Sequence, residues 1–279
     1  MLKWEIGLST GIAYRQPIET VLAPLRSAGI QAIEISTAPH HLDVERSEAF
    51  EPLRDRIQAL GLRVVSLHAP FGHDVNFTNS DDALRRQGLH KLACAADALQ
   101  ALGGRLYVIH PGDEDQRWAW EREKRLSLSV RSLTEVWERC HERGLTLVLE
   151  TPLPHLLGGH PEDFAWILER LPVEGTSVCV DTSHTALGHW LFECLERFSA
   201  RIGHIQVSDN RGTTDDHLPP GEGIIDWERV IATLDRIDYR GTFMLEVAGT
   251  GELGSDLARL VAAVERTLQG AGRQLPAAW

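Results

Sequence analysis

VCVDTSH (residues 178–184) is an apolar run that stops on a carboxylate, Asp181, and offers a histidine, His184, three residues later. Val178, Cys179 and Val180 read as a buried strand, because an unbroken run of β-branched and small apolar residues suits a strand covered on both faces. Similar runs recur at residues 4–8, 32–36, 64–68, 106–110, 146–150, 202–207 and 242–247. Between them lie amphipathic stretches with apolar residues at helical spacing. IETVLAPLRSAG (18–29), FEPLRDRIQALG (50–61) and SVRSLTEVWERCHERG (129–144) each end on a glycine suited to a helix C-cap. SDDALRRQGLHKLACAADALQALGG (80–104) opens on a Ser-Asp cap and also closes on glycine.

Eight apolar runs, each followed by a helix or a long loop, predict an α/β protein with a single (β/α)8 TIM barrel. The expected domain covers residues 1–279, with about 270–279 as a C-terminal tail. A doubly wound open sheet is the competing arrangement. It is disfavoured because no G-x-G-x-x-G follows the first run and no composition shift marks a second domain. In a barrel all strand C-termini open onto one mouth, so residues that end different runs converge there.

Those endings are His68, His110, Glu150, Asp181, His204 and Glu246, joined by His184 and by Asp215 and His217 in the loop TTDDHLPPGEG (213–223). The 13 histidines and 40 Asp plus Glu make up about one residue in five. Six such endings by chance is roughly one in ten thousand, and these are the nitrogen and oxygen ligand types of zinc and manganese. A lone strand-end histidine is more often plain hydrogen-bonded structure, and Glu150 or Asp181 alone could cap the next helix. Four carboxylates at one mouth without a cation would repel each other and raise their pKa values. A bound divalent metal, zinc or manganese at one to three ions per chain, removes that conflict. His40, His41 and His73 are placed to line the mouth from the outside, and Trp118 and Trp120 either wall it or pack under the fourth loop.

A hydrophobic share of 43% and a charged share of 24% are ordinary for a soluble globular chain. The start, MLKWEIGLST, lacks a signal peptide's basic and apolar pattern, and no run approaches ~18 apolar residues. A cytoplasmic protein with no membrane partner is expected. The four cysteines form no C-x-x-C pair and read as reduced and structural. A formal charge of −12 disfavours nonspecific nucleic-acid adhesion, although a local basic groove stays open. Oligomeric state is not legible.

From HAPF (68–71) to MLEV (244–247), with HPG (110–112), DTSH (181–184) and DDHLPPGEG (215–223), the chain resembles the xylose isomerase-like barrels. These include sugar isomerases and epimerases and the endonuclease IV class of apurinic-site nucleases. The epimerase resemblance implies one divalent metal held by Glu150, Asp181, His204 and Glu246. Glu150 and Glu246 would double as acid–base groups and His184 would lie near the substrate oxygens. The substrate would be a small sugar, polyol or sugar phosphate. The endonuclease resemblance implies three zinc ions. His68, His110 and Glu150 hold one; Glu150 bridges to a second with Asp181, His204 and Glu246; His184, Asp215 and His217 hold the third. That set would make the chain a phosphoesterase.

Three departures weigh against a DNA substrate and make nucleic acid a disfavoured partner. Asp216 stands where that branch is usually basic, Phe71 replaces the expected tyrosine, and STAPHHLDVE (36–45) lacks a DNA-contacting arginine. HLPPGEG (217–223) reads either as a rigid turn or as a set of free N–H groups for a substrate phosphate, with Arg211 close by.

Overall fold

The computed structural model describes residues 2–72, 75–112, 116–276 and 279; His73 and the Trp118 side chain lie outside the described residues. The strands are β1 (Glu5–Ser9), β2 (Ala32–Ile35), β3 (Arg63–His68), β4 (Leu106–Ile109), β5 (Thr146–Glu150), β6 (Thr176–Asp181), β7 (Ile202–Val207) and β8 (Thr242–Leu245). Each pairs in parallel with the next, and β1 pairs with β8, so the sheet closes into a barrel in strict sequence order.

Helices cover the outside: α1 (Ile18–Ser27), α2 (Phe50–Ala59), α3 (Asp82–Ala101), α4 (Arg122–Glu142), α5 (Pro161–Leu168), α6 (Thr182–Leu187), α7 (Leu191–Arg197), α8 (Trp227–Arg236) and α9 (Leu253–Gly270). The stops are chemical. Gly29, Gly61, Gly103 and Gly144 just past α1 to α4 all have positive φ, the left-handed cap that glycine adopts without strain. At the start of α3 the Asp81 carboxylate accepts from the amides of Ala83 and Leu84. Among the described residues no helix is long and apolar enough to cross a membrane. The four cysteines are free, three of them buried. Trp279 is buried, and its backbone pairs with Gly29 and Gln31 at the bottom of the barrel.

The main apolar core fills the annulus between sheet and helices, joining residues such as Leu8, Ile33, Leu67, Phe164, Ile205 and Leu260. Inside the barrel the low levels are apolar, with Ala32 and Met244 in one cluster and Val108, Val148 and Cys179 in another. The interior becomes polar toward the mouth. Two register shifts decide which residues stand at which level. One leaves Val65 without an opposite residue and sets Ser66 beside Glu34. The other does the same at Gly203, setting His204 beside Cys179 and Gln206 beside Asp181.

Candidate active site

Strand alternation turns every second residue into the barrel, so a strand's last inward residue faces the mouth. His68, Glu150 and Asp181 end β3, β5 and β6, while His110 and Glu246 follow directly on β4 and β8. His184 lies one turn into α6, where Asp181 caps the helix by accepting from the His184 amide at 2.7 Å. The Asp181 carboxylate therefore serves as a cap through Oδ1, while Oδ2 is buried with no hydrogen-bond partner.

Glu150 is the hub. Its Oε2 lies 3.0 Å from His68 Nε2, and its Oε1 lies 3.2 Å from His110 Nε2 and 3.3 Å from His184 Nδ1. The His68 contact is close without hydrogen-bond alignment, which leaves Oε2 unsatisfied. On the far side, Asp215 Oδ2 stands 3.2 Å from His184 Nε2 and 2.9 Å from His217 Nε2. Ser183 donates to the other Asp215 oxygen at 2.7 Å. The rings of Phe71, His68, His110, His184 and His217 follow one another around the mouth at centroid spacings of 5.2 to 6.4 Å.

Among the described residues, three compact groups have ligand atoms close enough to share an ion: His68, His110 and Glu150; Glu150, Asp181 and His184; and His184, Asp215 and His217. The first and third are the outer sets read from the sequence. Buried atoms without partners, Asp181 Oδ2, Glu150 Oε2 and His110 Nδ1, lie in the same place. Such orphans are costly unless something binds them. Together with an all-nitrogen-and-oxygen donor set, they fit a divalent ion of the zinc or manganese type.

His204 does not join these groups. The shift at Gly203 puts Gln206 at the level of Asp181, and His204 two residues lower, roughly 6.6 Å down at the usual strand rise. His204 Nε2 meets Glu34 Oε2 at 3.0 Å, both side chains fully buried. Ser66 donates to Glu34 at 2.7 Å, Gln206 donates at 3.0 Å, and the Cys179 thiol donates to the Gln206 amide oxygen at 3.1 Å. Sequence reasoning missed Glu34. Its signal was a lone charge in the otherwise apolar AIEI of β2, which only a paired, inward-facing side chain satisfies.

The phosphate reading of HLPPGEG is reversed. Asp209, fully buried, accepts from the amides of Gly221 and Gly223 at 3.0 Å, of Ile225 at 3.1 Å and of Asn210 at 2.9 Å, and from the Trp227 indole at 2.8 Å. Gly221 takes φ of 84°, and a Cβ at residue 223 would meet Asp209 Oδ1 at 2.3 Å, so both positions need glycine. The loop is a turn wrapped around its own carboxylate. His41 is buried between Gln16 and Thr10 and braces the loop after β1, whereas His40 is exposed. Trp120 is 86% exposed, so it does not pack beneath the fourth loop.

The charges sort themselves strongly. Burial works to raise the Glu150 pKa, but the His110 and His68 charges and the imidazole hydrogen bonds outweigh it and hold the carboxyl well below its usual range. Burial, reinforced by the Glu150 and Glu34 charges, pushes Glu246 up to about 8 against the pull of His68 and His217. Burial with the Asp215 and Glu150 charges raises Asp181 to about 6, His184 opposing. Burial opposes charge on His68 and His217, yet Glu150 in the first case and Asp215 in the second raise them to about 10.

A family model described as xylose isomerase-like TIM barrel matches residues 22–267. The uncharacterized protein MJ1311 of Methanocaldococcus jannaschii is 25% identical over 253 residues, covering 88% of this chain and 84% of its own. The L-ribulose-5-phosphate 3-epimerase UlaE of Shigella flexneri is 24% identical over 204 residues, 70% of this chain and 68% of that enzyme. Among solved structures, a D-tagatose 3-epimerase-like protein superposes with a TM-score of 0.82 at 22% identity, over 96% of this chain and 98% of that one. An L-ribulose 3-epimerase gives 0.81 at 19% identity over 96% of both chains. At these identities the superpositions establish a shared fold.

Proposed function

The chain belongs to the xylose isomerase-like TIM barrel family, and from that premise we propose that it is a divalent-metal-dependent isomerase or epimerase of a small sugar, polyol or sugar phosphate. The observation that carries this reading is a pair of carboxylates at one mouth whose surroundings drive them apart. Three imidazoles hold Glu150 well below the usual carboxylate range, while burial with the Glu150 and Glu34 charges pushes Glu246 up to about 8. A base and an acid separated by environment are what proton removal from one carbon and its return require. The epimerase names borne by the relatives point the same way.

Glu150, Asp181 and His184 would hold the metal, with His68 and His110 against the same carboxylate. When bound, a divalent ion supplies Lewis-acid polarisation of a substrate carbonyl and its neighbouring hydroxyl, which acidifies the C–H between them. The chain does the rest. Ionised Glu150 takes the proton, protonated Glu246 supplies one, and a return step restores both. His184 is oriented by the Thr151 carbonyl, 2.9 Å from Nδ1, and by Asp215, 3.2 Å from Nε2.

Replacing Glu246 with Gln keeps the shape and removes the proton. It should lower interconversion of the substrate and its epimer by about a thousandfold, within the usual range for general acid–base catalysis, while Glu150 still exchanges the C–H it faces. Interconversion that survives Glu246→Gln would sink the assignment.

The imidazole pairs on either side of the mouth, His68 with His110 and His184 with His217, favour a second reading. Two or three zinc ions would then cleave a phosphodiester. In that case His68→Ala and His217→Ala each cut hydrolysis of abasic-site DNA by orders of magnitude. Elemental analysis separates the readings: one ion per chain fits proton transfer, and two or three zinc ions fit hydrolysis.

A further inference from the structure

A phosphorylated sugar needs a place for its phosphate. In a barrel of this kind the places to look are loop amides after β7, a nearby guanidinium, and the helix start after β8. All three exist here; the first two are already occupied by an aspartate of the chain, and the third has an aspartate buried in its first turn. The amides of Gly221 and Gly223 donate to buried Asp209. Arg211 donates to Asp216 through both its amide, at 2.9 Å, and its guanidinium, at 3.3 Å. Ahead of α9, Thr250 donates to Asp256 through its amide at 2.9 Å and its hydroxyl at 2.8 Å, and Asp256 is buried in the first turn of that helix.

From these three sites, two filled by an aspartate and one with an aspartate beside it, we infer that the substrate is an uncharged polyhydroxy carbonyl compound, a free ketose or its aldose isomer, and that the mouth discriminates against the terminal phosphate ester. The inference rests on the isomerase reading and narrows it. A phosphate dianion brought to any of the three positions would displace an internal carboxylate or sit beside it, and like charges brought together at a binding surface oppose binding. An uncharged sugar meets no such conflict. Its hydroxyls are served by the imidazoles and carboxylates of the mouth, and its C–H face by Phe71. That ring is 58% exposed and stands 5.2 Å from the His68 ring and 5.6 Å from His110. The relative named for a phosphorylated substrate, UlaE, makes the contrast a sharp one.

Arg15 is the strongest rival anion-binding group. It follows β1, lies over the Tyr14 ring and donates to the Tyr14 hydroxyl at 3.0 Å, so the test must include it.

The experiment uses metal-loaded protein and two matched pairs, L-ribulose with its 5-phosphate and D-fructose with its 6-phosphate. Calorimetric titration gives binding, and deuterium uptake from heavy water, followed by NMR, gives chemistry. The expected result is that each free ketose binds at least about tenfold tighter than its ester, with exchange following the same order. Freeing Arg211 through Asp216→Asn should shrink the ester's disadvantage by about threefold or more. Esters that bind as well as or better than the free sugars overturn the inference, and a selective loss of ester binding in Arg15→Ala would then identify what holds them. Binding and exchange fail separately. If no sugar exchanges, the isomerase reading falls, while the ratio of binding constants still decides the charge argument. If neither member of either pair binds, both fall.

Discussion

Two adjacent levels of the same barrel interior carry the same residue types to opposite ends. In the upper level His68, His110, Glu150, Asp181 and His184 crowd together and leave three buried polar atoms without partners. In the level beneath, Glu34, Ser66, His204, Gln206 and Cys179 form a network in which Glu34 engages His204, Ser66 and Gln206 and the amide oxygen of Gln206 takes the thiol. Only His204 Nδ1 is left over in that network. A buried histidine and glutamate are thus a poor guide to metal binding by themselves. What distinguishes a ligand set from a structural network is the hydrogen-bonding capacity left unused.

The contrast can be broken experimentally, most severely at Glu34. Glu34→Ala strips His204, Ser66 and Gln206 of a shared buried partner, and each buried group so left unsatisfied costs about 1–3 kcal/mol. Urea unfolding should show that loss, while the metal content per folded chain stays unchanged; a cost near zero would erase the distinction between levels. Asp181→Asn should do the reverse. Asp181 is crowded by Asp215 and Glu150, so the metal-stripped protein should unfold no earlier than wild type. Metal affinity, read by competition with a chromophoric chelator, should fall by at least about a hundredfold.

A smaller effect is expected from pH. His68 and His217 are held up to about 10, so both rings are protonated at pH 7, whereas a metal takes only neutral imidazole. Binding must expel those protons. Affinity should therefore rise from pH 7 toward 10 by about tenfold per unit for each proton displaced, and level off above. Calorimetry in buffers of different ionisation enthalpy counts the protons, and a count of zero at pH 7 would remove these two rings from the ligand set. Smallest of all, Cys179→Ala deletes one weak donor in the lower level. About 1 kcal/mol of stability should go, with metal uptake intact.

Much of the fold was readable because parallel strands buried on both faces leave long apolar runs, and all eight lie within two residues of the strands in the structure. Glycine caps were equally visible, since few other residues tolerate the left-handed end of a helix. The site was legible to the extent that residues ending strands converge at the mouth, and seven of the nine residues singled out fall into close ligand groups there, with His204 and Glu246 outside them. The misplacement of His204 has one cause. A register shift at Gly203 moves the strand's levels by one residue, and no local pattern in IGHIQV announces it. Gln206, the residue actually opposite Asp181, is an amide and so is not picked out by a search for the usual metal-ligand types. Of the two readings of HLPPGEG the turn is the one found, and what its own residues do not display is the acceptor, since Asp209 lies twelve residues before Gly221 and reads as an ordinary loop aspartate.

Asp209 carries a last consequence, for how this loop can change over evolutionary time. Four of its five donors are main-chain amides, which every residue except proline possesses. The path of the chain from Asn210 to Ile225 is therefore drawn largely by backbone and two glycines, with Asn210 and Asp216 holding the amides of Gly212 and Arg211. The exposed positions 211, 213 and 214 can be reassorted while the scaffold stays as it is, so a library randomised there should return folded barrels at high frequency. A lineage could retune what the mouth accepts without first paying in stability.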